Sequence, residues 1–524
     1  MGDTGVMADT LVHAAVHCYE APGVSGAPRL SGLPGADRCE GPDERVVEAF
    51  YYDTEDLRLV RAGICLTREL EHSGAEWVLQ LPEDDRGDTP EGDRGPLRVP
   101  HQEGDDPHQV PPAVLALVRA HTRGRSVGPV AHTQITRSTW QLLDWEGGLL
   151  GEVRGDAVSA QTLGSSSTVD SWYLVTVTLS GPAERLCTAI EERLDDIGAR
   201  PAQPRSVVQR LLGAEPVPAR PAHRRVALHK KSSAGDVVLA AVTAQVTALQ
   251  EWDAKVRRDK PDAVHQMRVA ARTLRSTLRT FGRVIDREAT GEIATELRWL
   301  GGVLARARDQ EVVQERVETC LAGTPSEDVL GPVAATLTQQ FARERTEAHA
   351  GVLAELDTDR YYGLLDALDA LVARPPLTPL ARKRSRTALP SQVRRTVKKL
   401  DKAVVQVDEL PDGPERTEAL HSVRKAAKRA RYAAELVAPV VGKDATRSAK
   451  RFKAVQGLLG DHQDAVQTRR FLRALGGRGH LAGQNGFTVG IWYQQQAEAA
   501  DDVDTAFDET WRSAARRKHR RWMR

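Results

Sequence analysis

The stretch that decides the fold reads His265-Gln-Met-Arg268-Val-Ala-Ala-Arg272-Thr-Leu-Arg275, and it recurs 156 residues later as His421-Ser-Val-Arg424-Lys-Ala-Ala-Lys428-Arg-Ala-Arg431. In each copy the histidine and the three following basic residues have the spacing i, i+3, i+7, i+10. An α-helix advances about 100° and about 1.5 Å per residue, so these side chains fall within an arc of roughly 80° and span about 15 Å along the axis. Each copy therefore predicts a helix with one continuous cationic stripe.

The apolar residues of the two stretches repeat in step with the basic ones. They are Met267, Ala271, Leu274, Leu278 and Phe281 in the first copy, and Val423, Ala427, Ala430, Ala434 and Val437 in the second. This spacing predicts that each helix buries one face and shows the cationic stripe beside it. A second pair of segments, ending at Asp309 and Asp464, repeats at nearly the same offset, which indicates an internal duplication. Two such helices packed together could line a groove for a polyanion.

The net charge of the chain hides two parts of opposite sign. The formal value is +1, yet residues 1–220 carry 20 Lys and Arg against 34 Asp and Glu, whereas residues 221–524 carry 53 against 38. The basic part ends in the run Arg516-Arg-Lys-His-Arg-Arg521, which predicts a frayed, solvated tail over 511–524. A chain of 524 residues is too long for one core, so an acidic module fused to a basic one is expected.

Cysteine usage and hydropathy indicate a cytoplasmic protein. The five cysteines are odd in number and form no C-x-x-C pair, which argues against structural disulfides and a zinc site. No stretch of about 18 apolar residues occurs, and the N-terminus lacks a basic region followed by an apolar core. We therefore expect a soluble, cytoplasmic chain without a membrane partner.

The spacing of apolar residues divides the chain into a strand-rich part and a helical part. Short alternating or β-branched runs, such as Trp77 to Leu81, predict strands between 46 and 179, interrupted by a long loop over 83–110. A proline-rich stretch predicts a linker at 213–229, and the long 3.6-residue periodicity beyond it predicts helices. The predicted domains are 10–212, then 230–510 with repeats at about 235–375 and 390–510, and the tail 511–524.

The helical part resembles the CHAD domain, a conserved-histidine α-helical domain built from two helical repeats. Besides the two basic stretches, the resemblance rests on Leu300-Gly-Gly-Val-Leu-Ala-Arg-Ala-Arg308-Asp309 and on Leu459-Gly-Asp-His462-Gln-Asp464. It covers roughly 230–510. In that family the basic helices are taken to bind inorganic polyphosphate and to bring proteins to polyphosphate granules. The resemblance therefore implies polyphosphate as the ligand and a location at such granules.

Carried over position by position, the resemblance implies ligands on the two stripes and on the helix that follows each of them. On the stripes these are His265, Arg268, Arg272, Arg275, His421, Arg424, Lys425, Lys428 and Arg431, and on the following helices Arg298, Arg308, Lys453 and His462. Arginine binds phosphate oxygens bidentately, lysine acts as a point charge, and histidine can donate to phosphate. The alternative is a solvated face paired with Asp and Glu, with each histidine a packing residue. Two stripes without an acidic position favour the binding site.

The strand-rich part resembles a CYTH domain, a triphosphate-tunnel β-barrel, over roughly 10–212. The matching stretch is Tyr51-Tyr-Asp-Thr-Glu-Asp-Leu-Arg58-Leu-Val-Arg61-Ala-Gly63-Ile-Cys-Leu66, followed by Trp77-Val-Leu-Gln-Leu-Pro82. The resemblance implies an eight-stranded antiparallel tunnel in which carboxylates hold Mg²⁺ or Mn²⁺ and inward Lys and Arg clamp a triphosphate. The predicted fold class is thus α+β with two domains, an N-terminal antiparallel β-barrel followed by an all-α duplicated helical bundle.

The catalytic groups of the CYTH family are largely missing from this chain. Its opening Glu-x-Glu-x-Lys motif has no counterpart, because the first 19 residues contain no Glu and the first lysine of the chain is Lys230. The remaining candidates for a polar lining are Arg58, Arg61, Arg68, Arg137, Glu152 and Asp156. A shifted metal site at His13, His17 and His132 is an alternative, against which stands the lack of an accompanying carboxylate. We predict no catalytic residue, no metal and no cofactor.

Three functions stay open on the sequence. The leading hypothesis is a non-catalytic protein that binds inorganic polyphosphate or a similar polyanion between its two basic helices. The first alternative is a metal-dependent triphosphatase or polyphosphatase acting in the barrel. The second is nucleic-acid binding, against which stand the lack of aromatic residues interleaved with the stripe cations and the acidic N-terminal part. The sequence does not identify a protein partner.

Overall fold

The computed structural model describes most of the chain. The described residues are 15–22, 28–71, 74–82, 95–100, 106, 109–164, 167–180, 184–202, 207–211, 228–411, 413–481 and 485–524. The chain divides into two compact units, Met1–Ala219 and Arg220–Arg524. The predicted linker lies outside the described residues except for positions 228 and 229, and so does most of the predicted loop 83–110.

The N-terminal unit is built on an antiparallel sheet of nine strands. In chain order these are β1 Ala15–Pro22, β2 Arg38–Asp53, β3 Cys65–Glu71, β4 Gly74–Gln80, β5 Leu97–Pro100, β6 Gly128–Leu143, β7 Leu149–Thr162, β8 Val169–Leu179 and β9 Arg200–Pro201. They pair in the order β5-β4-β3-β2-β6-β7-β8-β1-β9, always antiparallel. The described helices of this unit are α1 Arg58–Arg61, α2 Pro112–Thr122, α3 Glu184–Asp196 and α4 Val207–Leu211.

Helices α2 and α3 each cover a separate part of the sheet. Trp77 and Leu79 of β4 pack in one apolar cluster with Val118 of α2. Val175 of β8 lies in a second cluster together with Ile190 of α3. Apolar residues of the strands supply buried surface to the sheet, and each helix covers part of it. Helix α4 joins a third cluster, in which Leu211 packs with Ala131 of β6 and Trp172 of β8.

The prediction of a closed barrel is wrong, because the sheet is open. Among the described residues, β5 and β9 form its two edges and do not pair with each other. Both edge strands are short and end in a proline, Pro100 or Pro201, which has no backbone N–H to extend a ladder. Residue alternation along a strand determines which side chains share a face. It does not determine whether the first and last strands of a sheet meet.

The C-terminal unit is helical and duplicated. Its long helices are α5 Ala234–Arg257, α6 Ala263–Thr280, α7 Gly291–Ala322, α8 Val333–Leu356, α9 Asp359–Ala373, α10 Ser385–Asp408, α11 Pro414–Val441, α12 Lys443–Leu481 and α13 Phe487–Ala515. Successive helices pack from α5 to α8 and again from α10 to α13, and α9 packs against α5, α7 and α8. Corresponding helices of the two repeats also contact each other, α5 with α10, α6 with α11 and α7 with α12. The prediction of a helical C-terminal domain is confirmed.

Helices α6 and α11 bury the faces that their sequence pattern predicts. Met267, Ala271 and Leu274 on α6 have no exposed surface, and neither do Val423, Ala427 and Ala430 on α11. The remaining predicted core positions are also buried, namely Leu278, Phe281, Ala434 and Val437. Since the basic stripe lies beside each buried face, burial of the apolar face determines the side of the helix on which the cations stand.

The C-terminal basic run is packed, contrary to the predicted frayed tail. Helix α13 continues to Ala515, and two single 3₁₀ turns follow at Arg517–His519 and Arg521–Met523. Arg520 Nη1 donates to Asp401 Oδ1 on α10 at 2.8 Å, and Trp522 Nε1 donates to Ser448 Oγ on α12 at 2.9 Å. Met523 is buried. The charge composition of the run predicted a solvated tail. Instead, the aromatic Trp522 and the apolar Met523, which follow the run, attach it to the helical domain.

Two further observations concern the whole described chain. No helix among the described residues is long and apolar enough to cross a membrane. All five cysteines are free, as expected from their number and spacing.

Candidate functional site

The two basic stripes face each other across one groove of about 340 Å³ between α6 and α11. Six arginines, two lysines and one histidine line it, and no Asp or Glu is among the described residues of its wall. The lining residues are Arg268, Arg272, Arg275, Ser276, Arg279, His421, Arg424, Lys425, Lys428, Arg429 and Tyr432. We call this depression the interhelical groove. Each repeat contributes one wall, so the duplication itself builds the site.

The walls of the interhelical groove are joined by a hydrogen bond between the repeats. Arg272 Nε on α6 donates to the hydroxyl of Tyr432 on α11 at 3.3 Å. Tyr432 is buried, and its ring also lies 4.6 Å from the guanidinium of Arg431. Because a buried hydroxyl must find a hydrogen-bond partner, this contact holds the two stripes at a defined separation.

Lys428 is the most strongly perturbed group of the interhelical groove. Burial, together with the positive charges of Arg272 and Arg424, lowers the pKa of Lys428 to about 6. Arg268 and Arg431 act on it in the same direction. The charged ammonium is therefore disfavoured in the protein alone, because like charges surround it and little water solvates it. An anion placed in the groove would reverse the sign of that local field.

The two stripe histidines have similar environments but different access to the groove. Burial lowers the pKa of His265 and of His421, and the positive charges that lower these pKa values most are those of Arg308 and Lys425 respectively. The Nδ1 atom of each ring is buried without a hydrogen-bond partner among the described residues. His421 lines the groove, whereas His265 does not. The equal spacing of the two copies therefore does not make the two rings equivalent.

Carboxylates stand behind the arginines at matching positions of the two repeats. Arg268 Nη1 donates to Asp309 Oδ1 on α7 at 3.2 Å. In the second repeat Arg424 lies near Asp464 on α12. Burial raises the pKa of Asp464 above its ordinary value, and the charge of Arg424 only partly opposes this effect. Both carboxylates come from the motif that ends the second duplicated segment. Neither carboxylate is among the described lining residues of the groove, so both act on the stripe arginines from outside it.

Arg308 and Arg431, both predicted as ligands, are instead bound to carboxylates on their own helices. Arg308 Nη1 donates to Glu311 at 2.9 Å and to Glu315 at 3.1 Å. Arg431 Nε lies 3.2 Å from Glu435 Oε1. Neither arginine lines the groove. At these two positions the predicted cations are partly buried and paired with acidic residues of the same helix.

The other predicted ligands on the following helices also lie away from the groove wall. Arg298 is exposed on α7. Burial lowers the pKa of Arg275 most, followed by the charge of Arg279 and then by that of Arg298. Lys453 is exposed on α12. Burial raises the pKa of Glu435, and the charges of Arg431 and Lys453 oppose this effect. His462 is 6% exposed, which makes it a packing histidine. None of the three is part of the described groove lining.

Sequence reasoning missed four residues of the groove, Ser276, Arg279, Arg429 and Tyr432. Arg279 follows Arg275 at i+4, so one further step along the same stripe would have found it. The corresponding step in the second copy reaches Glu435, which explains why the repeat did not point to it. Arg429 and Tyr432 lie outside the stripe arc of α11, and only the packing against α6 brings them to the groove.

Comparison with known proteins identifies the family. Residues 240–473 match the model of the CHAD domain. The Mycobacterium tuberculosis relative Uncharacterized protein MT2285 is 33% identical over 488 residues, which are 91% of this chain and 91% of that protein. The chain belongs to the CHAD-domain family. The recognition of a CHAD domain in the helical part is confirmed.

Two solved structures are similar to parts of this chain. The crystal structure of the CHAD domain from the plant Ricinus communis is 26% identical with a TM-score of 0.45, and the match covers 55% of this chain and 94% of that one. The structure of a putative adenylate cyclase from Bacillus halodurans is 14% identical with a TM-score of 0.20, and the match covers 33% of this chain and 84% of that one.

The sheet unit has a cavity of its own, with a volume of about 470 Å³. Unlike the wall of the interhelical groove, the described wall of this cavity includes carboxylates. Arg45 lies 2.8 Å from Asp43, and Arg137 lies 2.8 Å from Asp156. Arg154 Nε is 3.5 Å from the same Asp156, and Glu152 also lines the cavity. Each of these arginines already faces a carboxylate, so the cavity offers a phosphate little uncompensated positive charge.

The remaining sheet residues predicted as a polar lining or metal site differ in their exposure and in their partners. Arg58 pairs with Asp56 at 2.8 Å, Arg61 is exposed and Arg68 is buried. His132 Nε2 lies 2.7 Å from Glu48 Oε1, so a carboxylate does accompany this histidine, contrary to our expectation. His13 lies outside the described residues, and within them no three or more His, Cys, Asp or Glu side chains are grouped to hold a metal ion.

Proposed function

We propose that this protein binds inorganic polyphosphate, or a polyanion with the same dense repeat of charge, in the interhelical groove and does not turn it over. The observation that supports the proposal is a wall of eight arginines and lysines from both repeats with no described carboxylate in it. Polyphosphate presents charge at every unit and no bases, so recognition needs only cations at suitable spacing. Arginine forks and lysine ammonium groups provide this.

Electrostatic strain in the protein alone favours an anionic ligand. The pKa of Lys428 is lowered to about 6, and the pKa values of Arg268 and Arg275 are also lowered, chiefly by burial and then by neighbouring cations. Maintaining these positive charges side by side costs free energy in the absence of a ligand. A polyanion offsets that cost, so part of the binding free energy comes from relief of repulsion between the two stripes.

The two alternatives receive less support from the same residues. Tyr432 is the one aromatic residue among the described groove lining, and it is buried with its hydroxyl bonded to Arg272, which leaves no platform for stacking a base. Triphosphate hydrolysis in the sheet unit would need free cations, whereas Arg45, Arg137 and Arg154 face carboxylates there. A location at polyphosphate granules follows from the proposed ligand and from the family resemblance.

Titration of the full-length chain with labelled polyphosphate at several salt concentrations tests the proposal. We expect the logarithm of the affinity to fall linearly with the logarithm of salt concentration, since phosphates in contact with Arg and Lys release counterions. DNA and RNA at equal phosphate concentration should compete poorly. The same samples with Mg²⁺ or Mn²⁺ should release no phosphate. Equal competition by nucleic acid would favour the nucleic-acid alternative, and metal-dependent phosphate release lost in Glu152→Gln would favour the enzyme.

Removing the carboxylate behind Arg268 should strengthen binding. In Asp309→Asn the guanidinium of Arg268 loses the carboxylate that lies 3.2 Å away, and it becomes available to the ligand. We therefore expect the affinity for polyphosphate to rise by a factor of roughly three to ten. The thermal midpoint should fall slightly. Asp401→Asn is the matched control, because it removes the same charge from a carboxylate that pairs with Arg520 instead. Weaker binding by Asp309→Asn would show that Asp309 orients Arg268 rather than competing for it.

A further inference from the structure

A second basic depression of about 550 Å³ adjoins the interhelical groove. Arg279 and Arg429 line both depressions. Its other cations are Arg283 and Arg287, which follow α6, and Arg395, Lys398 and Lys399 on α10. We call it the α10 basin. The shared pair of arginines makes the two depressions neighbours along one continuous positive surface.

The cations of the α10 basin are not neutralised by the protein. The five cations that it does not share with the groove are all exposed, and none of them forms an ion pair with an Asp or Glu among the described residues. Arg395 donates to the side-chain oxygen of Gln392 at 3.2 Å, a neutral partner. No carboxylate belongs to the described lining of the basin. A solvated face usually pairs its cations with acids, and this one does not.

The charge of Arg279 affects the pKa values of arginines in both depressions. After burial, the charge of Arg279 is the main cause that lowers the pKa of Arg429. Arg279 is likewise the first charge, after burial, that lowers the pKa of Arg275 in the interhelical groove. Arg279 therefore acts on cations along the edge between groove and basin. An anion bound at this edge would interact with both depressions at once.

We propose that the α10 basin is the second part of one polyanion track. A long polyphosphate leaves the interhelical groove past Arg279 and Arg429 and continues over α10, whereas tripolyphosphate occupies the groove alone. This inference rests on the proposed function and adds a preference for long chains to it. The preference arises because only a long chain can neutralise the basin while it remains bound in the groove.

The test compares two triple variants of the full-length chain. The basin variant carries Arg395→Ala, Lys398→Ala and Lys399→Ala. The control variant carries Arg470→Ala, Arg473→Ala and Arg478→Ala, three exposed residues of α12 that line neither depression. Both variants lose three positive charges, so their long-range fields change alike. All six side chains are exposed, and circular dichroism should confirm that helical content is unchanged.

Affinity is measured for tripolyphosphate and for a long polyphosphate of narrow length distribution. We expect the basin variant to bind the long chain about tenfold more weakly or worse, with a log–log salt slope smaller by roughly two if three phosphate contacts are lost. Its affinity for tripolyphosphate should stay within about twofold of the unmodified chain. The control variant should retain both affinities within the same limit.

Failure of this inference can be told apart from failure of the proposed function. Equal weakening of long-chain binding in the basin and control variants would reduce the effect to net charge and overturn the track. Unchanged long-chain affinity in the basin variant, with both ligands still bound by the unmodified chain, would overturn the track and leave the groove as the whole site. No binding of either ligand by the unmodified chain would overturn the proposed function and the track together.

Discussion

Reversing one charge on each wall of the interhelical groove, Arg272→Glu together with Lys428→Glu, should abolish polyphosphate binding and leave the helical content of the chain unchanged. Both residues lie on the polar stripes and not on the buried faces that hold Met267 and Val423. A hydrogen bond to a charged group contributes about 1.5 to 3 kcal/mol. Two lost contacts and two new repulsions should therefore weaken binding by at least about 100-fold.

The same double variant should not destabilise the free protein in proportion. Lys428 is surrounded by Arg268, Arg272, Arg424 and Arg431, so a glutamate at that position replaces repulsion by attraction. We expect an unchanged or higher thermal midpoint in the absence of ligand, which a thermal melt followed by circular dichroism measures. The matched control is Arg470→Glu with Arg473→Glu on α12, which likewise replaces two basic side chains by two carboxylates. Binding like that of the unmodified chain in the groove variant would count decisively against the site.

Polyphosphate affinity should rise as pH falls from about 9 towards 6. The pKa of Lys428 is lowered to about 6 in the protein alone, and the bound polyanion should raise it by favouring the ammonium form. Binding then takes up a proton, so affinity decreases as pH rises between the free and bound pKa values, by up to about tenfold per pH unit for this one group. His265 and His421, whose pKa values are also lowered, should extend the trend to more acidic pH.

Replacing Lys428 by arginine separates this lysine from the other cations. Arginine keeps its charge throughout the range, so the pH dependence of affinity between 6 and 9 should flatten in Lys428→Arg. Titrations at constant ionic strength measure it. Four arginines act on Lys428, Arg268 and Arg272 from α6 and Arg424 and Arg431 from α11. A slope that persists in Lys428→Arg would assign the proton uptake to another group.

The stability of the free protein should depend on pH in the opposite sense. In the unfolded chain Lys428 titrates near its ordinary pKa of about 10.4, whereas in the folded chain it titrates at about 6. Between these values the unfolded state binds the additional proton. The contribution of Lys428 to folding stability is therefore largest above about 10.4 and is lost as pH falls towards 6. Lys428→Met should remove this contribution.

Local sequence patterns were sufficient for those features that one helix determines by itself. The period of 3.6 residues predicted the buried faces of α6 and α11 and the cationic stripes beside them, because side-chain direction in a helix depends only on position along it. The ion pairs of Arg308 and Arg431 were also predictable from the sequence, since Glu311 and Glu435 stand at i+3 and i+4.

Features that depend on contacts between distant segments were decided only by the tertiary structure. The packing of α6 against α11 brings the two stripes to one groove, includes Arg429 and Tyr432 from outside the stripe arc, and leaves His265 out. The α10 basin joins residues more than 100 positions apart in the chain. The nine-stranded sheet stays open because of how its end strands lie, which alternation along a strand does not encode. The sequence by itself determined which side chains share a face, through the fixed geometry of helix and strand. The tertiary structure decided which faces meet, because that depends on the packing of all helices and strands at once.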